Sequence, residues 1–275
     1  MSVTEPAVSA AHGGLIQPQW SEVLCPPEPL TEELEMQWLD AALQGQATAA
    51  LWTGAPGLVA PVSYRRYATF DSACAASAAR GWPVRLRRSG GGVVPQGQGI
   101  LNLTLAYPSD GSPGAAAHAV YAHLCQLLRS ALARLGIAAQ ARSVQGSFCD
   151  GRFNLAVIHQ GVVKKIAGTA QYWRRAAGHQ AVLAHALLLV VTDSACLSAQ
   201  ANWFEADLAS GRQYEASALT SVAEGWRQSH PDCSPIDLMV TVRQALADVL
   251  NQAALTPSNN DHPDFNPPGA QHGSA

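Results

Sequence analysis

The alternation of apolar and polar residues along the chain changes period at identifiable points, and each change marks an element. Residues 1–29 hold no sustained period, are rich in Pro, Gly and Ala, and end in the run CPPEP; they read as a loose, flexible N-terminal arm. A helical period follows, with Leu34, Trp38, Leu39, Ala42 and Leu43 on one face and Gly45 as its stop. Thr31 suits its cap, and Glu32, Glu33 and Glu35 suit the positive end of its dipole. Residues 47–52 and 59–64 read as strands separated by the breakers Gly54, Pro56 and Gly57, and Asp71 caps a short alanine-rich helix closed by Gly81. Residues 83–88 form a strand that runs directly into three glycines. Residues 100–107 alternate Leu101, Leu103 and Leu105 against Asn102, Thr104 and Ala106, the period of a sheet strand with two different faces.

After the linker PSDGSPG comes the clearest helix, its stripe Val120, Leu124, Leu127, Leu128, Ala131 and Leu135 ending at Gly136. His118 and His123 lie five apart on it, which is not a shared face, so they do not form a metal pair. Residues 153–158 and 181–192 read as strands, and from residue 202 the character becomes helical, with Leu219, Val222, Ala223 and Trp226 as one stripe. Ser234 and Pro235 are an N-cap and first helical position for a last helix carrying Leu238, Val242, Ala245 and Leu250. Residues 256–275 have too little apolar content to fold and read as a disordered tail.

Strands interleaved with helices over residues 30–255 predict a single α+β domain with a mixed central β-sheet flanked by helices. With 48% apolar residues the chain can bury a sizeable core, although charged residues, at 13%, are about half the usual share. A formal charge of -3 gives no electrostatic reason to bind nucleic acid, and no apolar run reaches a membrane span. The N-terminus lacks the basic start and apolar block of a secretory signal, and Cys25, Cys74, Cys125, Cys149, Cys196 and Cys233 form no C-x-x-C pair. These features predict free, mostly buried thiols, no metal site and a reducing, cytoplasmic location.

Three segments carry candidate chemistry. Gly90, Gly91 and Gly92 are either a tight turn or a backbone cradle that offers N–H groups to an anion or carbonyl. Of two adjacent lysines, Lys164 reads as solvated, while Lys165 precedes Gly168, Thr169 and Ala170, small residues that let a substrate lie beside an ammonium group. Cys149 stands in a turn kept open by Gly146 and Gly151, where a nearby Arg152 or Lys165 would stabilise its thiolate and let it hold an acyl group.

The order of a strand, the glycine loop, a long helix, Lys-Ile-Ala-Gly-Thr-Ala-Gln and His185 in an apolar strand resembles the lipoate-protein ligase and octanoyltransferase family, related in fold to biotin-protein ligases. The resemblance spans residues 30–250. It implies that Arg87, Ser89 and Gly90 to Gly92 wrap an acyl carbonyl or, in ligases, an adenylate phosphate. It also implies that Lys165 contacts the acyl carbonyl region, that Gly168, Thr169 and Ala170 form a small-residue wall, and that His185 is the histidine of the acyl-binding strand. Cys149 falls where the ligase-like octanoyltransferases place their acyl-carrying cysteine. Departures occur at Leu86 and Ala186, where the family has Arg and Gly, and at Gln96 and Leu155, where ligases have His and Asp. They weigh against adenylation more than against acyl handling, as do the two helices and polar tail that stand where many ligases carry an accessory domain.

The implied activity is attachment of an octanoyl or lipoyl group to a lysine of a lipoyl domain, in a 2-oxoacid dehydrogenase subunit or the glycine-cleavage H protein. The leading mechanism passes the acyl group from an acyl carrier protein or another lipoyl donor through a Cys149 thioester and needs no cofactor. The alternatives are a ligase using ATP and Mg with Cys149 as bystander, and a non-catalytic binder of lipoyl domains or acyl ligands.

Overall fold

A computed structural model describes residues 19–26, 30, 32–159, 161–226 and 232–255. Most of the N-terminal arm, Thr31 and the tail lie outside the described residues. Residues 19–26 are integral to the fold: Trp20 is buried, its indole N–H donates to the Leu250 carbonyl at 3.2 Å, and β1 (Val23–Leu24) pairs with the next strand. The absence of a period there concealed one anchoring aromatic ring.

Helix α1 (Glu32–Leu43) buries Trp38, Leu39, Ala42 and Leu43. β2 (Thr48–Thr53) is followed by β3 (Gly57–Pro61), which stops short of the expected residue 64; Val62–Arg66 instead coil into a 3-10 turn that buries Tyr64. α2 (Phe70–Ala79) starts after Thr69, so Asp71 sits inside its first turn and not at the cap. There its carboxylate still meets the positive helix end. β4 (Val84–Arg87), β5 (Val94–Gln96), β6 (Ile100–Pro108) and α3 (Pro113–Arg134) follow, with the Ser112 side chain accepting from the Ala115 N–H. β7 (Gln140–Ala141), β8 (Leu155–His159), β9 (Val162–Ala176) and β10 (His179–Leu189) complete the strands.

α4 (Ser194–Asp207) begins before residue 202, because the Asp193 carboxylate accepts from the N–H groups of Ala195 and Cys196 at 2.9 and 3.1 Å. Its small first turn shows no apolar period, so the cap alone marks it. α5 (Val222–Trp226) and α6 (Pro235–Leu255) are the last helices among the described residues, and the Ser234 hydroxyl accepts from the Asp237 N–H at 3.1 Å.

The central sheet has seven strands in the order β1-β2-β6-β10-β9-β8-β7, antiparallel except for β1 with β2; a second sheet orders β4-β3-β5. β6 is buried on both faces. Leu101, Leu103, Leu105 and Tyr107 pack on one side with the apolar stripes of α3 and α6, where each buried leucine contributes about 1.5–3 kcal/mol. The other face is built of cross-strand rows: Trp52, Asn102, Leu187 and Gly168 in one, Ala50, Thr104, His185 and Ala170 in the next. α1 covers part of this second face, and the small sheet with α2 and α4 covers the rest.

Candidate active site

Between those layers lies a cavity of about 430 Å³ whose wall includes Arg87, Ser89, Cys149, Lys165, Gly168, Thr169, Ala170 and His185. The size suits a small apolar ligand. Folding therefore brings together residues spread over more than a third of the chain.

A β-bulge puts Lys165 on this wall. β9 pairs Lys165 with Ala156 but Ala167 with Leu155, so Ile166 is an extra residue in the ladder. Without it, strand alternation would send Lys165 to the face opposite Gly168. With it, the side chain turns inward, is 1% exposed, and donates to the carbonyls of Phe148 at 2.6 Å and Cys149 at 3.4 Å. A Cβ at Gly168 would come within 3.2 Å of Lys165 Nζ and Cε. The small residue thus makes room for the lysine's own head, where the sequence suggested room for substrate. The neighbouring Thr169 hydroxyl is spent on the Phe153 carbonyl at 2.8 Å. Burial pushes the Lys165 ammonium down to about 8, against the opposing pull of Cys149 and Asp150 and with further help from Arg87.

Cys149 adopts a left-handed backbone, φ 52°, unusual for a residue with a side chain. Lys165 and the Asn154 amide, 3.2 Å away, both donate to its carbonyl, and the Asp150 carboxylate accepts from the Val144 N–H at 2.8 Å. The half-buried thiol faces the glycine loop so closely that a Cβ on Gly91, itself at φ 108°, would run into the sulfur. Arg87 shapes that loop by donating to the carbonyls of Val59, Gly90 and Gly92 at 2.8, 2.9 and 2.7 Å, while its buried Nε–H has no partner. The N–H groups of Gly91, Gly92 and Cys149 serve no hydrogen bond among the described residues.

The cations coupled to the sulfur are Lys165 and Arg87. Arg152, the other candidate, lays its guanidinium over the Phe153 ring at 5.0 Å. All six cysteines are free, but only Cys125 is buried, where desolvation pushes its thiol up to about 11. Cys25 and Cys196 are exposed, so most of the thiols are less buried than expected.

A polar network that the sequence analysis missed lies under the cavity. Gln96 and Asn102 exchange amide hydrogen bonds at 2.9 and 3.0 Å, and the Asn102 amide also donates to the Trp52 carbonyl at 3.4 Å, which fixes which end is oxygen. His185 Nε2 is then the donor to Asn102 Oδ1 at 3.2 Å, leaving Nδ1 to accept from the Thr104 hydroxyl at 3.1 Å. Thr104 in turn accepts from the Trp52 indole at 3.0 Å. Burial, helped by the Arg87 charge, pushes His185 down to about 4, so the ring is neutral at pH 7. Glu35 lies 3.7 Å from Nδ1, beyond hydrogen-bonding distance, and is no ion pair to a neutral ring. The available signal was the pair Asn102 and Thr104 inside an otherwise apolar strand.

The family model for the lipoyl protein ligase A/B catalytic domain matches residues 35–230, and the chain belongs to that family. It is an enzyme of the lipoate-protein ligase and octanoyltransferase kind. Among relatives, an uncharacterized protein of Cupriavidus necator is 49% identical over 205 residues, covering 72% of this chain and 80% of that one. An octanoyl-[GcvH]:protein N-octanoyltransferase of Kyrpidia tusciae is 34% identical over 179 residues, 62% of this chain but 56% of that enzyme. Two solved structures share the fold: a lipoate-protein ligase A bound with ATP, with TM-score 0.60, 18% identity and 90% of each chain covered, and a bipartite lipoate protein ligase with its E2 lipoyl domain from Thermoplasma acidophilum, with TM-score 0.59, 19% identity and 90% and 88% covered.

Proposed function

We propose that this enzyme transfers an octanoyl or lipoyl group to a lysine of a lipoyl domain through a thioester on Cys149. The observation that carries the reading is the sulfur's position: on the wall of an apolar cavity, on a left-handed turn pinned by Lys165 and Asn154, against a glycine loop with unused N–H groups. The Kyrpidia relative, an octanoyl-[GcvH]:protein N-octanoyltransferase, supports the acyl class and the lipoyl-domain type of partner.

In the first step Cys149 gives up its thiol proton and attacks, as thiolate, the acyl carbonyl of a carrier-bound donor; the C–S or C–N bond to the carrier breaks, and the departing thiol or amine takes up that proton. In the second, the acceptor lysine, as free amine, attacks the Cys149 thioester; the C–S bond breaks, an amide forms, and the lysine's proton passes to the departing thiolate. The N–H groups of Gly91, Gly92 and Cys149 are the donors for the tetrahedral oxygen. Lys165 uses two of its three N–H groups on the turn, and the third serves the acyl carbonyl. Arg87, with one terminal nitrogen on the loop carbonyls of Gly90 and Gly92 and the other on the Val59 carbonyl of β3, shapes the cradle more than it meets a phosphate.

Intact-mass measurement tests this. Octanoyl carrier protein or octanoylated GcvH, without ATP, should leave an octanoyl adduct on Cys149 that hydroxylamine removes, then a gain on the lipoyl-domain lysine; Cys149→Ala should show neither. Transfer that needs free acid and ATP and survives Cys149→Ala would establish the ATP-dependent ligase instead. A lipoyl domain that binds without gaining mass under either regime would leave a non-catalytic member of the family.

A further inference from the structure

Behind the glycine loop, away from the cavity, lies a second polar cluster that the proposed chemistry does not use. Glu205 on α4 is 0% exposed, and its Oε1 accepts from the hydroxyls of Tyr64 and Tyr214, both at 2.7 Å. The Tyr64 oxygen also accepts from the Val93 N–H at 3.2 Å and from an Arg212 guanidinium N–H, and the Arg212 guanidinium lies 5.4 Å from the Tyr64 ring centroid. Burial and Glu205 push the Tyr64 hydroxyl up to about 12, and burial with the same carboxylate pushes Tyr214 up as well, so both remain donors at any working pH.

Each tyrosine touches the loop. A Cβ at Gly92 would stand 3.0 Å from the Tyr214 hydroxyl and 3.7 Å from that of Tyr64. Tyr214 also meets Phe148, the residue before the cysteine, edge to face with ring centroids 6.3 Å apart. The segment carrying it is tied to the cysteine turn, Glu215 N–H to the Gly146 carbonyl at 2.8 Å, and to Lys165, whose carbonyl accepts from the Thr220 N–H at 2.9 Å. Arg87 therefore grips the loop through its carbonyls, Tyr64 holds it by accepting from the Val93 N–H, and the Tyr214 hydroxyl stands against Gly92.

We propose that Glu205, Tyr64, Tyr214 and Arg212 form a buried clamp that sets the glycine loop against the Cys149 sulfur, making them positioning residues for acyl transfer. The proposal rests on the reading of Cys149 as acyl carrier. Cradle donors act only at the correct distance from the carbonyl oxygen, so a small loop shift costs rate without exposing the thiol.

The test compares two reactions of the same sulfur in Tyr64→Phe, Tyr214→Phe and the wild type. One is single-turnover acylation of Cys149 by octanoyl carrier protein or octanoylated GcvH, which needs the cradle. The other is alkylation of Cys149 by iodoacetamide, mapped by peptide mass, which does not. In the phenylalanine variants acylation should fall at least about tenfold while alkylation stays within about twofold. Acylation at the wild-type rate, or both reactions falling together, overturns the clamp.

Glu205→Gln keeps an acceptor at Oε1, the only carboxylate oxygen with a partner, and should acylate far faster than Glu205→Leu. Equal rates in those two also overturn it. If the wild type itself forms no acyl adduct with either donor, the thioester reading fails and takes the clamp with it; an acylated wild type beside unaffected variants removes the clamp alone.

Discussion

The ammonium group of Lys165 donates to the carbonyl of Phe148 at 2.6 Å, so the buried cation holds the residue next to the cysteine and not a distant part of the cavity. That contact makes Lys165 both a structural pin and a titrating group. Its pKa is pushed down to about 8, while in the unfolded chain it stays near the ordinary 10.5. Between those values the unfolded chain holds a proton that the folded chain has released, so this group makes stability rise with pH across that window.

Urea midpoints of wild type and Lys165→Met, measured from pH 7 to 10.5, should therefore show a wild-type gain over the variant that grows with pH. A difference that is flat or shrinks with pH would contradict the assignment. At pH 7 the variant should also lose transfer by about a hundredfold, the usual cost of removing one donor to a developing oxyanion.

Gly91→Ala carries two penalties. Its φ of 108° is one that L-residues rarely adopt, and its Cβ would collide with the Cys149 sulfur. A stability loss of about 1–3 kcal/mol is expected from denaturant unfolding. Acylation should fall much further than this loss explains, because turn and loop must separate. Acylation at the wild-type rate would show that the loop is not the cradle.

Arg87 holds three carbonyls through a planar fork, a geometry that an ammonium cannot reproduce. Arg87→Lys should lose transfer by about a hundredfold despite keeping its charge, by the same argument from misplaced donors. If the loop needed only positive charge, lysine would restore activity, and steady-state rates would reveal it.

His185 should remain neutral, protonated on Nε2, until the pH falls toward 4. Between its ordinary 6.5 and about 4 the unfolded chain binds the proton and the folded chain does not, so stability falls as pH drops through that interval. Nitrogen-detected NMR of the imidazole checks both statements, and a ring that titrates near 6.5 would refute them. Gln96→Leu, which strips Asn102 of its amide partner, should cost about 1–3 kcal/mol and broaden the same resonance.

The stripes of α1, α3 and α6 and the strand through residue 107 were legible in the sequence, because the local period is set by which side chains a helix or sheet can bury. The stop of α3 at Gly136 and the cap of α6 at Ser234 follow from local chemistry alone. The glycine loop, Cys149, Lys165 and His185 stood out as residue types in unusual surroundings. Trp20, the early end of β3 and the start of α4 were hidden, since each depends on one anchoring residue and not on a repeat.

By itself, then, the sequence determined the main helices and several of the strands, the α+β class, the family and the residues worth suspecting. The tertiary structure alone decided which faces meet. A single inserted residue at Ile166 turns Lys165 into the cavity, and cross-strand register sets His185 over Asn102 and Thr104. Packing of distant segments presses Gly91 against the thiol and seats Tyr64 and Tyr214 on one carboxylate. Those outcomes depend on contacts between residues far apart in the chain, where periodicity carries no information and only the mutual exclusion of side chains selects the arrangement.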